Sequence, residues 1–167
     1  MRQLAASGTL AKPPSQRELV DARSALKARF KEPLSHTDTA AGARSAAVAL
    51  LDAAHGETEP PLKWLLLDEA RRLGAAAGSA EIVSRAITLT SAVFDMDELA
   101  AELESLAEIP LRALDPGRAA RLAEAAERIA ARADTDGRTD LANDARHLAY
   151  KAWQRAGNPA AARRVSP

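Results

Sequence analysis

Cysteine is missing from all 167 residues, which excludes disulfides, thiol catalysis and thiolate metal sites outright. Its absence names no compartment. Aromatic residues make up only 3% of the chain, so any core must be built mainly from aliphatic side chains. Net charge is missing too, with 23 lysines and arginines against 23 aspartates and glutamates. A protein that binds nucleic acid by neutralising phosphates carries an excess of cations, so no nucleic-acid partner is expected. No apolar run reaches the ~18 residues of a membrane-spanning helix, and no membrane partner is expected. Stretches with period-two apolar alternation are also lacking, which leaves strands without a sequence signal.

What remains is the composition of helices. Apolar residues reach 47% and charged residues 28%, and alanine, leucine, glutamate and arginine dominate. These residues lose little side-chain freedom on entering a helix. The length suits a single domain able to bury a core without staples.

Punctuation by proline, glycine and capping residues divides the chain. The opening residues, MRQLAASGTLAKPPSQ, hold one arginine and no signal-peptide apolar region. They read as a flexible lead-in over 1–14, or as what remains of a longer N-terminus after trimming. Ser15 and Glu18 have capping-box spacing, and a single helical domain over 15–165 follows. Its first helix spans 16–31 and stops before Pro33. A second spans 38–54, and a third runs from Pro60-Pro61 to about residue 77. Trp64, Leu65, Leu66 and Leu67 stand in one turn of it, so it must be covered on more than one face. Gly78 ends it in the left-handed conformation, and Ser79 starts a fourth over 80–94. Asp95 or Asp97 caps the fifth, which Pro110 interrupts. Asp115-Pro116 opens the sixth, and Thr139 or Asp140 caps the seventh, over 139–156. Gly157 ends that helix, and Asn158-Pro159 begins a last short turn. The expected fold is all-α, with about seven helices plus this short C-terminal turn.

Two portions match in type. ARSAAVALLDAA and EARRLGAAAGSAEIVSRA correspond to AARLAEAAERIAARA and DARHLAYKAWQRAGNPAAARRV. Each pairs an alanine-rich helix with one ending in Ala-Gly-(Ser/Asn), and small residues let such helices stack closely as antiparallel hairpins.

ARFKEP, AAVALLDAA and PPLKWLLLDEARRLGAAAGSAEIVSRAITLTSAVFDMD carry a resemblance. They resemble an uncharacterised, alanine-rich helical domain of planctomycete proteins. The matching positions are Trp64, Leu66, Leu67, Glu69, Ala70, Ala77, Gly78, Ser79, Phe94, Met96 and Asp97, within a similarity extending over roughly 16–165. The resemblance implies a bacterial protein with a tetratricopeptide-like repeat array, found in exported or multi-domain proteins, and no activity to transfer. Trp64 and Ser79 depart from it, replacing a commoner tyrosine or phenylalanine and a commoner aspartate.

Chemistry-bearing patterns are sparse. ADTDGRTD, residues 133–140, has the D-x-D-G order of a calcium loop. An EF-hand register, however, puts Arg132 at position 1 and Asn143 at position 12, where a carboxylate is needed. A turn at Asp136-Gly137 explains the stretch more simply. His36, His55 and His147 lie in separate segments without a second ligand at helical spacing, and His55-Gly56-Glu57 lacks the cysteines of a zinc deaminase. Neither Gly78 nor Gly137 belongs to a phosphate-cradling loop. No G-x-S-x-G elbow occurs, and Glu102 with Glu104 reads as a solvated pair. No catalytic residue, cofactor or metal is expected, and the chain is not expected to be an enzyme.

Charge is nevertheless unevenly spread. Asp95, Asp97, Glu98, Glu102, Glu104 and Glu108 occupy 95–108 without a cation, and Arg146, Lys151, Arg155, Arg163 and Arg164 occupy 145–167 without an anion. Either these are solvated faces turned toward one another in the fold, or they form a partner site or complementary ends for self-association. Tyr150, Trp153, Arg155, Arg163 and Arg164 are the candidate partner-binding residues, because aromatics and arginines anchor interfaces. The expected function is a non-catalytic protein-interaction or spacer module, a scaffold for a protein partner. The alternative is a small enzyme or ligand-binding domain with a pocket between helices, recognisable by converging His, Asp or Arg side chains.

Overall fold

A computed structural model describes residues 10–166. Among the described residues the fold is all-α, as expected. Its helices are α1 (Gln16–Arg29), α2 (Lys31–Leu34), α3 (Ala40–Gly56), α4 (Pro60–Ala76), α5 (Ala80–Ser91), α6 (Glu98–Ala107), α7 (Pro116–Thr135), α8 (Thr139–Arg155) and α9 (Pro159–Arg164). A 3-10 turn, Leu111–Ala113, joins α6 to α7. Of the expected lead-in, residues 1–9 lie outside the described residues. In its remainder, Ala11 donates to the Val93 carbonyl at 2.9 Å and accepts from the Asp95 amide at 2.8 Å.

Local chemistry explains most boundaries. Ser15 and Glu18 form the capping box of α1. Asp97, Asp115 and Asn158 each accept from a first-turn amide of the helix they begin. Gly78, Gly137 and Gly157 have φ of 68°, 70° and 72°, and each closes the same Schellman turn. At Gly78, Ser79 N–H reaches the Gly74 carbonyl and Gly78 N–H reaches Ala75; Arg138 and Asn158 repeat the pattern with Ala133 and Trp153. In all three turns the residue after the glycine is already the N-cap of the next helix.

Three local details differ from expectation. The first helix does stop before Pro33, at Arg29, but the chain then forms the unexpected short α2 through that proline. Pro33 lies in the first turn of α2, where its missing N–H leaves no intrahelical bond unmade. Neither Thr139 nor Asp140 caps α8: the N-cap is Arg138, whose side chain makes no cap. The Schellman turn places α8 immediately after Gly137, so Thr139 is its first helical residue. Ser79 holds the N-cap position of α5 but does not cap it; its hydroxyl accepts from Arg44 Nη1 at 3.4 Å instead.

Apart from α1, which packs mainly on α4, each helix packs mainly on its neighbours in sequence. α3 packs on α4, α4 on α5, α5 on α6, α7 on α8, and α8 on α9. One apolar cluster joins α1, α3, α4 and part of α5, including Leu50, Leu66 and Ile82. The other joins α5 to α9 and includes Val83, Leu106, Leu122 and Trp153. The most extensive helix contact, between α7 and α8, buries Ala119, Ala123, Ala126, Ala130 and Ala133 together with Ala142, Ala145, Ala149 and Ala152. Methyl groups at this three-and-four spacing let the two backbones approach closely.

As expected from its run of large apolar residues, α4 is covered on more than one face. It contacts α1, α3, α5 and α6, and Leu62, Leu65, Leu66, Leu67, Ala70 and Leu73 are buried. In both portions of matching sequence the second helix ends in a Schellman glycine. Counted from those glycines, however, the Glu69 match stands one helical turn closer to its turn than Asp144 does.

Candidate functional site

Four α4 residues, Trp64, Leu67, Asp68 and Arg71, follow i, i+3, i+4, i+7 spacing and therefore share one stripe of the helix. The stripe begins apolar and ends charged. It faces a cleft of about 170 Å³ closed by Ile87 and Thr90 of α5, by Met96, and by Ala101, Glu104, Ser105 and Glu108 on the α6 side. The floor is apolar. Leu67 and Ile87 are buried, and half-buried Trp64 meets the Phe94 ring edge-on, with centroids 5.0 Å apart and planes at 89°. Such T-shaped contact fixes the indole in place.

Carboxylates and one guanidinium form the rim. Arg71 is only 19% exposed at its side chain. Its Nε and Nη2 both donate to Asp68 Oδ1 at 3.1 Å. Its Nη1 donates to Glu108 Oε2 at 3.0 Å and to Ser105 Oγ at 3.3 Å. Arg71 thus ties α4 to the end of α6. Burial works against its charge, but Asp68 and Glu108 outweigh that and raise its pKa above the ordinary arginine value. Glu104, by contrast, is exposed and has no cation partner among the described residues. Asp68, Glu104 and Glu108 against Arg71 leave the rim net negative.

Asp68 also borders a second cleft, of about 350 Å³, between α1, α2 and α4. Leu26, Leu34 and Leu65 floor it, and Arg23, Lys27, Glu69 and Arg72 rim it. Glu69 and Arg72 pair with each other at 3.0 Å. Val20, three residues before Arg23 on α1, is 57% exposed. The ridge of α4 therefore runs between two apolar-floored clefts, one with an acidic rim and one whose rim carries three of the chain's cations.

The residues singled out from sequence lie elsewhere, on α8 and α9. Trp153 is 9% exposed and belongs to the core, with its indole N–H donated to Glu127. Tyr150 is half-buried, and its hydroxyl accepts from Gln154 at 2.7 Å. Arg155 is exposed, but its guanidinium is bound to the Leu111 and Arg112 carbonyls at 3.2 and 3.3 Å. Arg163 and Arg164 stand exposed in the last turn of α9 with no carboxylate partner among the described residues. Of the five, these two arginines are the ones left with unengaged polar groups at the surface.

No ion pair among the described residues joins the acidic segment to the basic one. Asp97 pairs with Arg138 at 2.6 Å, Glu98 with Arg132 at 3.4 Å, and Glu108 with Arg71, all outside the basic 145–167 segment. Arg138 donates to the Asp97 carboxylate, and that bond, helped by the Ala100 amide, holds the Asp97 pKa below its ordinary value. In the ADTDGRTD stretch, Asp134 accepts from Arg146 and Asp136 is the C-cap of α7, so a cation side chain already occupies the first carboxylate. His36, His55 and His147 are exposed on separate segments.

No family model, no curated protein and no solved structure matches the chain.

Proposed function

We propose that the chain is a non-catalytic helical-repeat module that binds a protein partner across the ridge of α4. In this reading the helices form stacked antiparallel hairpins of tetratricopeptide type, as the likeness to the planctomycete domain implies. Sequential packing of neighbouring helices supports that arrangement, as do the three identical glycine turns.

The observation that carries the proposal is the pair of clefts flanking α4. Small-molecule sites occupy about 300–1,000 Å³ and enclose most of their ligand. At about 170 Å³ the α4–α6 cleft has room for a side-chain-sized group, and the second cleft, at about 350 Å³, reaches only the lower end of that range. Apolar floors beneath charged rims suit side chains projecting from a partner segment, with the rims setting its direction. Asp68 and Arg71 do converge here, as a ligand or catalytic site would need. Arg71 spends its donors on Asp68, Ser105 and Glu108, which favours the interaction reading over the pocket reading.

Site-specific photocrosslinking in native lysate tests this. A photoreactive residue replacing Glu104 or Arg72 is expected to yield discrete protein adducts, while one replacing Glu124 on α7 yields none. Equal labelling from all three positions, or none from the clefts, contradicts the proposal.

A further inference from the structure

Resting on that reading of the α4–α6 cleft, we infer that its occupant is the Arg163 and Arg164 end of a second copy of this chain, so that copies associate head to tail. Three observations converge on this occupant.

The first is the chemistry of the cleft. Trp64, Leu67, Ile87 and Met96 line it, and an arginine buries its aliphatic stem on such a surface or lays its guanidinium on an indole face. Asp68, Glu104 and Glu108 at the mouth supply the carboxylates that a planar guanidinium pairs with best. Arg71 demonstrates the fit, since the same rim already holds its guanidinium through Asp68 and Glu108. Glu104 is the carboxylate left over.

The second is charge complementarity within one sequence. The chain is neutral overall, yet its acidic excess sits at 95–108 and its basic excess at 145–167. No ion pair among the described residues joins the two. The third is placement. α9 packs on α8, whereas the cleft is walled by α4, α5 and α6. Arg163 and Arg164 are exposed at the end of α9, and Ala161 and Ala162 beneath them are buried, so the basic end is anchored rather than loose. The two patches are unlike surfaces, so their contact is heterologous and adds copies head to tail, closing into a ring where the rotation between copies brings the ends together and otherwise continuing as an open series. Exposed ion pairs contribute only about 0–1 kcal/mol each, so the association is weak and sensitive to salt.

Sedimentation velocity of the full chain tests this at rising protein concentration, in about 0.02 M and about 0.5 M salt. The wild type is expected to self-associate in the dilute buffer and to dissociate in the concentrated one. Glu104→Lys, or Arg163→Glu with Arg164→Glu, should each weaken association about tenfold or more. Mixing the two variants should restore a complex, because each then presents the partner's new complement. All substituted positions are exposed, so an unchanged thermal midpoint confirms that the fold is kept. A wild type that stays monomeric in dilute buffer overturns the inference, as does assembly indifferent to both reversals. If that monomer still crosslinks to another protein from position 104, the interaction module stands and only its self-recognition fails. If it crosslinks to nothing, both fail.

Discussion

Replacing Gly78, Gly137 and Gly157 one at a time by alanine separates backbone strain from packing, because the three share a turn and differ in surroundings. Their φ angles, 68°, 70° and 72°, impose the same left-handed conformation, which costs a residue with a Cβ about 1–2 kcal/mol. Reduced freedom of the unfolded chain returns about 0.4–1 kcal/mol of that. At Gly137 and Gly157 a Cβ would meet nothing within 4 Å, whereas at Gly78 it would lie 2.5 Å from Leu114 Cδ2. Leu114 is itself buried, so its methyl has no solvent to move into. Overpacking of this kind adds about 1–3 kcal/mol. Urea denaturation with unchanged slopes should therefore give losses of about 1 kcal/mol for Gly137→Ala and Gly157→Ala, and about 2–4 kcal/mol for Gly78→Ala. In thermal melts each kcal/mol corresponds to roughly 2–4 °C at this chain length. Leu114→Ala in the Gly78→Ala background should cost less than the two changes summed, since removing the methyl removes the clash. A Gly78→Ala variant no less stable than Gly137→Ala would show that the α4–α5 turn is not packed on the segment before α7, and the reasoning would fail.

Other perturbations probe the core, the ion pairs and the rim. Leu66, 0% exposed, should cost roughly 2–5 kcal/mol on replacement by alanine; a loss below about 0.5 kcal/mol would remove it from the core. Because the folded pKa of Asp97 lies below its unfolded value, its pairing stabilises above about pH 4 and is lost as pH falls through the folded value. Arg138→Gln should move the Asp97 carboxyl titration, followed by NMR, to higher pH, and an unmoved midpoint would disconnect the pair. Arg71→Met leaves Asp68 and Glu108 without their counter-charge in a half-buried site. Because Asp68 and Glu108 are 42% and 48% exposed at their side chains, the substitution should cost about 0.5–1 kcal/mol at neutral pH by urea denaturation, and a neutral result would mean that solvent already screens this rim.

Helix ends were legible where one residue carries the signal. Ser15 with Glu18, Asp115-Pro116, and Gly78, Gly137 and Gly157 all act through local chemistry that sequence alone displays. Arg138 was missed because the residue closing one Schellman turn is also the next N-cap, and its type says nothing of that double duty. α2 was missed because Pro33 reads as a stop unless its place in a first turn is known. The cleft was harder still, since α4, α5 and α6 each supply part of it. On a single helix, Glu104 and Glu108, or Asp68 and Arg71, look like solvated neighbours. The available clue was that Asp68 and Arg71 continue the stripe of Trp64 and Leu67, so charge follows a bulky apolar face on the same side of α4. Trp153 misled for the opposite reason. Neighbours in sequence place it at the border of the α8 face, but α7 covers it and Glu127 takes its indole N–H.

The most direct measurement of cleft occupancy uses Trp64, which stands in the cleft floor. In a Trp153→Phe variant, Trp64 is the one remaining tryptophan, and its emission can be followed as protein concentration rises in dilute buffer. Covering the cleft removes water from the half-buried indole, so the account predicts a progressive blue shift, reversed by salt and absent after Glu104→Lys. Emission that stays constant while the protein associates would place the interface elsewhere and contradict the account.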